Sequence, residues 1–376
     1  MKVLQINSVC GVGSTGRIAT ALHKILLKQG HESFIAYGRD LPKNCSKAIR
    51  IGNKYDNYMH VALTRLSDRH GFSSKKATKK FINIINHINP DIIHLHNIHG
   101  YYINIELLFN YLKKIDKPVV WTLHDCWAFT GHCSHFDYAG CERWKTGCYS
   151  CPEKGNYPAS KLLDSSKRNF IDKKKLFTGI NNLLLVTPSK WLATKVRESF
   201  LNEYPIRIIN NGINLNVFKP IKGDFRKLNN IEKKFMILGV AGVWNKRKGI
   251  DDLEKISQNL LADEVMVLVG LTENQKANLP ENIIGINKTN NVNELAEIYS
   301  SADVFVNPTL EDNFPTTNLE SLSCGTPVVT YDTGGSAESI DNSCGFIVEK
   351  EKFMDFLEKV RIIKKKGKSF YSDNSL

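Results

Sequence analysis

Asp312 and Glu320 are carboxylates with seven residues between them in the segment VFVNPTLEDNFPTTNLESLSCGTPVV. The segment reads as a strand ending at Asn307, a loop carrying Glu311 and Asp312, and a helix opened by Pro315 and two threonines. Gly325 and Pro327 are the stop signals of that helix. Backbone N–H groups near residues 315–318 would carry the positive end of the helix dipole, a site suited to phosphate. Glu320 lies too far along to cap the helix, and a carboxylate there could accept hydrogen bonds from a ribose diol. Asp312 stands on the rim, where a sugar carried by the phosphate would sit. The plainer reading, a capped helix with surface acids, fits the local pattern equally well.

Other segments offer matching chemistry. In GVAGVWNKRKGIDDL a strand runs into a basic turn with Arg247 and Lys248, two cations that could neutralise charge on a diphosphate without a metal. Gly11-Val-Gly-Ser-Thr-Gly16 follows a strand with dinucleotide-type spacing. No acid closes a second strand about 20 residues on, so that fingerprint is incomplete. His124 ends the strand PVVWTLHD, while His94, His96 and His99 read as core or cleft-lining groups. Five of the nine cysteines fall within residues 126–151. Cys133, Cys141, Cys148 and Cys151 have spacings that suit a tetrahedral structural zinc, which would organise a long polar loop with little core of its own. Reduced, metal-free cysteines are the alternative.

The elements that must position these residues are alternating strands and helices. Apolar runs at 3–7, 33–37, 92–96, 119–123, 183–187 and 206–210, then at 235–241, 265–269, 283–286, 304–307, 327–331 and 346–348, read as buried parallel strands. Amphipathic stretches between them, such as 17–28, 105–114 and 294–300, read as helices. The expectation is an α/β chain of two doubly wound, Rossmann-like domains, residues 1–212 and 213–376, facing each other across a cleft, with the boundary in NNGINLNVFKP. The tail from residue 361 loses its apolar period and reads as frayed.

Charge separates the halves. Residues 1–212 hold 31 basic and 15 acidic side chains, and residues 213–376 hold 20 and 23. No apolar run is long enough to span a membrane, and the N-terminus lacks a secretory core and cleavage site. The expectation is therefore a cytoplasmic chain with reduced thiols, peripheral on the inner face of the membrane.

The acidic segment resembles the E-x7-E region of family 4 glycosyltransferases, which are retaining, nucleotide-sugar-dependent enzymes of GT-B fold. The segments Gly11–Arg17, DIIHLHNIHGYYIN, WTLHD, TPSKWLATKV, INNGIN and KRKGIDDL also resemble family segments in the expected order. Asp312 stands where the family usually has Glu, and Val243 where it commonly has Arg, with Arg247 the candidate substitute. The resemblance implies donor binding by Gly13, Ser14, Arg247, Lys248 and Glu320, and by the stretch Asn313, Phe314, Pro315, Thr316 and Thr317. It implies that His124 and Asp312 act on the sugar at the catalytic centre, with no cofactor required for catalysis. Implied partners are a nucleotide diphosphate-sugar donor, a saccharide or lipid-linked acceptor and an anionic membrane surface that the basic runs 75–80 and 173–175 would face. The family usually ends in a helix crossing back to the first domain, and the chain is expected to lack it.

Two rival readings make other demands. A sugar-nucleotide epimerase of the same shape needs deep acid/base carboxylates and histidines in a pattern not seen here. A nucleic-acid-binding protein needs interleaved aromatics and cations or a known module, so nucleic acid is not an expected partner.

Overall fold

The computed structural model describes residues 1–372 and divides the chain into two compact units, which separate between Asn210 and Asn211. Unit 1 contains β1 (Lys2–Asn7), α1 (Gly13–Lys28), β2 (Glu32–Tyr37), β3 (Ala48–Arg50), α2 (Lys54–Ser67), α3 (Lys75–Ile88) and β4 (Ile92–Leu95). It continues with α4 (Ile105–Leu112), β5 (Val119–Thr122), α5 (Ser166–Phe177), β6 (Leu183–Thr187), α6 (Lys190–Arg197) and β7 (Ile206–Ile208). Its seven strands run in the order β3-β2-β1-β4-β5-β6-β7, and every pairing is parallel.

Unit 2 contains α7 (Phe225–Leu228), β8 (Phe235–Val240), α8 (Ile250–Ser257), β9 (Glu264–Val269), α9 (Glu273–Ala277), β10 (Ile283–Ile286) and α10 (Val292–Ser301). It ends with β11 (Val304–Asn307), α11 (Thr316–Ser323), β12 (Val328–Tyr331), β13 (Gly345–Val348), α12 (Phe353–Lys366) and α13 (Ser369–Ser372). Its six parallel strands run β10-β9-β8-β11-β12-β13. Both units are thus doubly wound α/β domains, as expected.

The strand order reverses between β1 and β4 in unit 1 and between β8 and β11 in unit 2. In open parallel sheets the crevice outside the carboxyl ends of such strands is where ligands bind. The loops after β1 and β4 meet at one reversal, and the turn after β8 meets the loop after β11 at the other.

Three expectations are corrected. The first helix starts at Gly13 rather than near Arg17, so Gly13 and Ser14 form its first turn. The C-terminal segment is not frayed where described: α12 buries Phe356, Leu357, Val360 and Ile363, and Tyr371 is buried beyond it. The last residues of that tail, 373–376, lie outside the described part. The cysteine-rich loop has a substantial core, since Trp127, Phe129, Cys133, Phe136, Trp144 and Cys148 are buried in the main apolar cluster of unit 1.

Candidate functional site

In unit 2 the site grows from a backbone lock. Asn307, the last residue of β11, donates from Nδ2 to Asn318 Oδ1 in α11 at 2.8 Å, and Asn318 Nδ2 donates to the Ser336 carbonyl at 3.1 Å. Thr330 Oγ1 at the end of β12 donates to the Asn307 carbonyl, and Thr333 Oγ1 to the Thr309 carbonyl. These buried polar groups satisfy one another, as groups withdrawn from water must. They fix the loop before α11, and sequence reading missed all of them. Their residue types gave only a general signal, because the partners come from different loops.

The basic turn after β8 docks on this loop. Gly249 has φ +77°, and a Cβ there would stand 2.1 Å from the Pro308 carbonyl oxygen. Only glycine combines that backbone with so close an approach. Arg247 Nη1 donates to the Glu311 carbonyl at 2.6 Å, and Leu310 N–H returns to the Arg247 carbonyl at 2.8 Å. Lys248 Nζ forms an ion pair and hydrogen bond with Asp312 Oδ2, both side chains being mostly buried. The turn and the acidic loop therefore act as one rigid piece.

The remaining unit 2 candidates follow the same chain. Asp312 Oδ1 accepts the Asn313 N–H at 2.8 Å, and Asn211 Nδ2 donates to the Phe314 carbonyl at 3.1 Å. Pro315 is the N-cap of α11 and supplies no side-chain cap, so Thr316 and Thr317 begin the helix with the dipole's positive end at the loop. Glu320 is only 2% exposed, and its Oε2 accepts from the Tyr299 hydroxyl at 3.3 Å. Glu311 is more deeply buried than Asp312, with 1% exposure. Val243, in the usual arginine position, is exposed.

Unit 1 places a glycine-led helix start and a histidine cluster at the carboxyl ends of its strands. Gly13 has φ +64° with open space where a Cβ would stand, and it and Ser14 are exposed. His124 lies two residues past the end of β5. Its Nε2 is 3.1 Å from His96 Nδ1, and His96 Nε2 is 3.1 Å from Gln5 Oε1. Gln5 Nε2 donates to the Ala19 carbonyl, so its Oε1 must accept from His96. That requirement assigns the protons: His96 carries Nε2–H and accepts at Nδ1, while His124 donates from Nε2. Burial pushes the His124 pKa down to about 4 and the His94 pKa likewise, and it pushes His96 well below its ordinary value. The network is neutral at physiological pH.

Beside it, Asp125 Oδ2 stands 2.9 Å from His99 Nε2, in ion-pair range but off the N–H axis. His99 Nδ1 is 2.9 Å from the Tyr157 hydroxyl. Burial would raise the Asp125 pKa, but His99 holds it down at about 2. His99 lies in the segment DIIHLHNIHGYYIN, whereas Tyr157 is a part of this arrangement that no motif marked.

The cysteines are all free thiols. Cys133 and Cys151 are hydrogen-bonded to each other, and Cys148 Sγ accepts the Gly131 N–H at 3.1 Å. No three Cys, His, Asp or Glu side chains converge as a cation site among the described residues. The loop is held by Phe136 stacked on Trp144 and by Lys173. Lys173, expected in an exposed basic run, is 1% exposed. Its Nζ donates to the Trp127 and Thr130 carbonyls at 2.8 and 3.1 Å and sits 3.4 Å from the Trp127 ring centre.

Comparison with known proteins assigns both units to sugar-transferase families. Residues 15–217 match the description "Glycosyltransferase Family 4", and residues 234–364 match "Glycosyl transferases group 1". The chain is 28% identical over 380 residues to WcaC of Escherichia coli (strain K12), named as a colanic acid biosynthesis glycosyl transferase, covering 95% of this chain and 90% of that one. Over 181 residues it is 31% identical to the Campylobacter jejuni N,N'-diacetylbacillosaminyl-diphospho-undecaprenol alpha-1,3-N-acetylgalactosaminyltransferase, covering 45% and 47%. Among solved structures, Anabaena HepE in complex with UDP matches in fold, with a TM-score of 0.68 at 13% identity, covering 100% of this chain and 93% of that one. The match to more than half of the chain shows that it belongs to glycosyltransferase family 4, the nucleotide-sugar-dependent sugar transferases of GT-B fold.

Proposed function

We propose that this enzyme is a retaining glycosyltransferase that moves a sugar from a nucleoside diphosphate donor to a lipid-linked saccharide, at an anionic membrane surface, in polysaccharide or glycolipid synthesis. One observation carries the donor assignment: Lys248 Nζ is paired with Asp312 where the loop enters α11. An ammonium and a carboxylate this close would meet neighbouring parts of any ligand that engages both. A sugar joined to a diphosphate is such a ligand, with an anion next to hydroxyl groups. Phosphate draws Lys248 and Arg247, and Asp312 turns to the sugar hydroxyls. The N–H groups of Asn313, Phe314, Thr316 and Thr317 lie where α11 favours a further phosphate oxygen. Glu320, held by Tyr299, is assigned to the ribose. Gly13, Ser14 and His124 are assigned to the sugar end of the donor by family resemblance.

Retention is assigned by family resemblance, and the loop acids bear on its route by arguing against a covalent glycosyl-enzyme. Glu311 is buried and Asp312 is engaged by Lys248, so neither is presented as a nucleophile. In same-face attack the acceptor oxygen bonds to the anomeric carbon as its bond to phosphate breaks, and a phosphate oxygen takes the acceptor proton. His124, being neutral, orients the sugar by hydrogen bonding rather than by charge. The relative whose name specifies a diphospho-undecaprenol acceptor supports a lipid diphosphate here, as do the 31 basic against 15 acidic residues of the first half. Zinc on the four cysteines belongs to the same proposal as a structural element only. Metal analysis of wild type against Cys148→Ser tests it.

The test of the whole reading is a panel of UDP- and GDP-sugars with a polyprenyl-diphosphate-linked saccharide, the product's anomeric configuration being read by NMR. An α-linked product from an α-configured donor is expected. A β-linked product overturns retention, and no transfer from any nucleotide sugar overturns the donor and acceptor assignment.

A further inference from the structure

Helix α2 is amphipathic the wrong way round. Its inward face carries Asn57, His60 and Thr64, followed by Asp68 at the C-cap, and all four are buried. They are satisfied one by one. Asn57 Nδ2 donates to the Tyr101 carbonyl at 2.9 Å, and His60 Nε2 accepts the Gly71 N–H at 3.2 Å. His60 Nδ1 bonds Ser74 Oγ at 2.8 Å, Thr64 Oγ1 donates to the His60 carbonyl, and Asp68 pairs with His132 and the Ser165 N–H.

The outward face carries Tyr55, Tyr58, Met59, Leu63 and Leu66, spaced i, i+3, i+4, i+8 and i+11 along one side. Tyr58 is 68% exposed, Met59 61% and Leu66 52%. The stripe continues beyond the helix. Lys161 N–H donates to the Arg65 carbonyl at 2.7 Å and Leu163 N–H to the Leu66 carbonyl at 3.3 Å, which sets the segment bearing Leu162 and Leu163 against the end of α2. Leu162 and Leu163 are 65% and 57% exposed. Single exposed apolar residues need no explanation, but a contiguous ridge backed by a fully satisfied polar face does.

The charge around the ridge selects its partner. Residues 54–80 hold seven Lys and Arg against two acids. Of those acids, Asp68 is buried and Asp56 accepts the Asn53 N–H in the capping box. Lys54 and Arg65 flank the stripe on α2, Lys161 is exposed next to Leu162, and Lys75, Lys76, Lys79 and Lys80 are exposed on α3, whose N-cap Ser74 bonds to His60. An apolar ridge of leucines and tyrosines bordered by cations fits the headgroup layer of an anionic bilayer: apolar side chains enter the acyl boundary and ammonium groups meet lipid phosphates. We propose that α2 and the adjoining Leu162–Leu163 segment form the surface that seats unit 1 on an anionic membrane. The inference deepens the membrane side of the function proposed above and does not depend on which sugar is moved.

The test is co-sedimentation of the full chain with phosphatidylcholine vesicles, alone or with roughly one-third phosphatidylglycerol. Two variants accompany it, Leu63→Ser/Leu66→Ser and Leu162→Ser/Leu163→Ser. Wild type is expected on the anionic vesicles at least ~10-fold more than on neutral ones, and each variant is expected to lose at least ~10-fold of that binding. Because these side chains point to solvent, both variants should keep the wild-type melting temperature and nucleoside diphosphate binding. Wild type that stays in the supernatant, variants that bind as wild type does, or a self-association abolished by the variants would each overturn the proposal. Membrane binding without nucleotide-sugar binding would instead count against the donor reading and leave this surface standing.

Discussion

The two units place opposite kinds of chemistry at equivalent points of the same fold. In unit 2 the reversal of strand order is occupied by a charged pair, Lys248 and Asp312, fastened to a loop with almost no freedom. In unit 1 the carboxyl strand ends carry a neutral imidazole relay, His124–His96–Gln5, with protons fixed by the Ala19 carbonyl at its far end. All eleven histidines of the chain fall before residue 211. The difference teaches that one topology can carry two kinds of chemistry at equivalent points. In unit 2 an ion pair stands at the reversal, whereas in unit 1 burial keeps His94, His96 and His124 uncharged beside the ionised Asp125.

The largest effect should come from breaking the charged side. Lys248→Ala is expected to cut kcat/KM by ~10²- to 10³-fold, the range for removing one charged stabiliser of a leaving group. Steady-state kinetics checks it, and a loss below severalfold would shift the phosphate role to Arg247. Asp312→Asn should be milder, about 10- to 100-fold and mainly in kcat, because it keeps the shape and loses a charged acceptor. On the neutral side, His96→Ala should lower kcat by roughly 10-fold without changing donor binding, since His96 only fixes the proton position of His124. If donor affinity falls as far as kcat does, the relay has a merely structural role.

Rigidity can be broken separately from charge. Gly249→Ala is expected to destabilise unit 2 by about 2–3 kcal/mol, combining a positive φ with a clash on the Pro308 carbonyl. Denaturant unfolding followed by Trp244 fluorescence measures it, and an unchanged midpoint would mean that the turn gives way easily.

The smallest effect is on pH dependence, and its sign follows from the lowered pKa values. His94 and His124 titrate near 4 when folded against an ordinary value of 6.5, so the unfolded chain binds more protons between those limits. Their contribution to stability is complete above pH 6.5 and is lost as pH falls towards 4. Unit 1 should therefore melt earlier than unit 2 on acidification, which calorimetry at pH 7 and pH 5 would resolve as a widening gap between two transitions. Equal shifts in both would contradict the contrast between the units.

Much of the fold was legible because parallel strands buried on both faces leave unbroken apolar runs. The run at 304–307 is β11 itself. Ala48–Arg50 left no such trace: it is a three-residue edge strand, partly exposed throughout. The acidic loop and basic turn were readable as motifs, but their ion pair was not. It exists because β8 and β11 are neighbours in space, 64 residues apart at the paired side chains. The cysteine loop misled because Trp127, Phe129, Phe136 and Trp144 follow no period and gather only in three dimensions. Helix α2 shows the limit of pattern in the other direction. Its apolar stripe taken alone would face the core, and only the hydrogen-bonded row of Asn57, His60 and Asp68 reveals that it faces out.

In the proposed function Lys248 and Asp312 hold adjoining parts of one glycosyl diphosphate. Calorimetric titration of wild type, Lys248→Ala and Asp312→Asn with a nucleoside diphosphate and with its sugar conjugate tests this directly. Lys248→Ala is expected to weaken both ligands alike, whereas Asp312→Asn is expected to weaken only the sugar conjugate. An Asp312→Asn variant that binds both ligands as wild type does, or loses both equally, would contradict it.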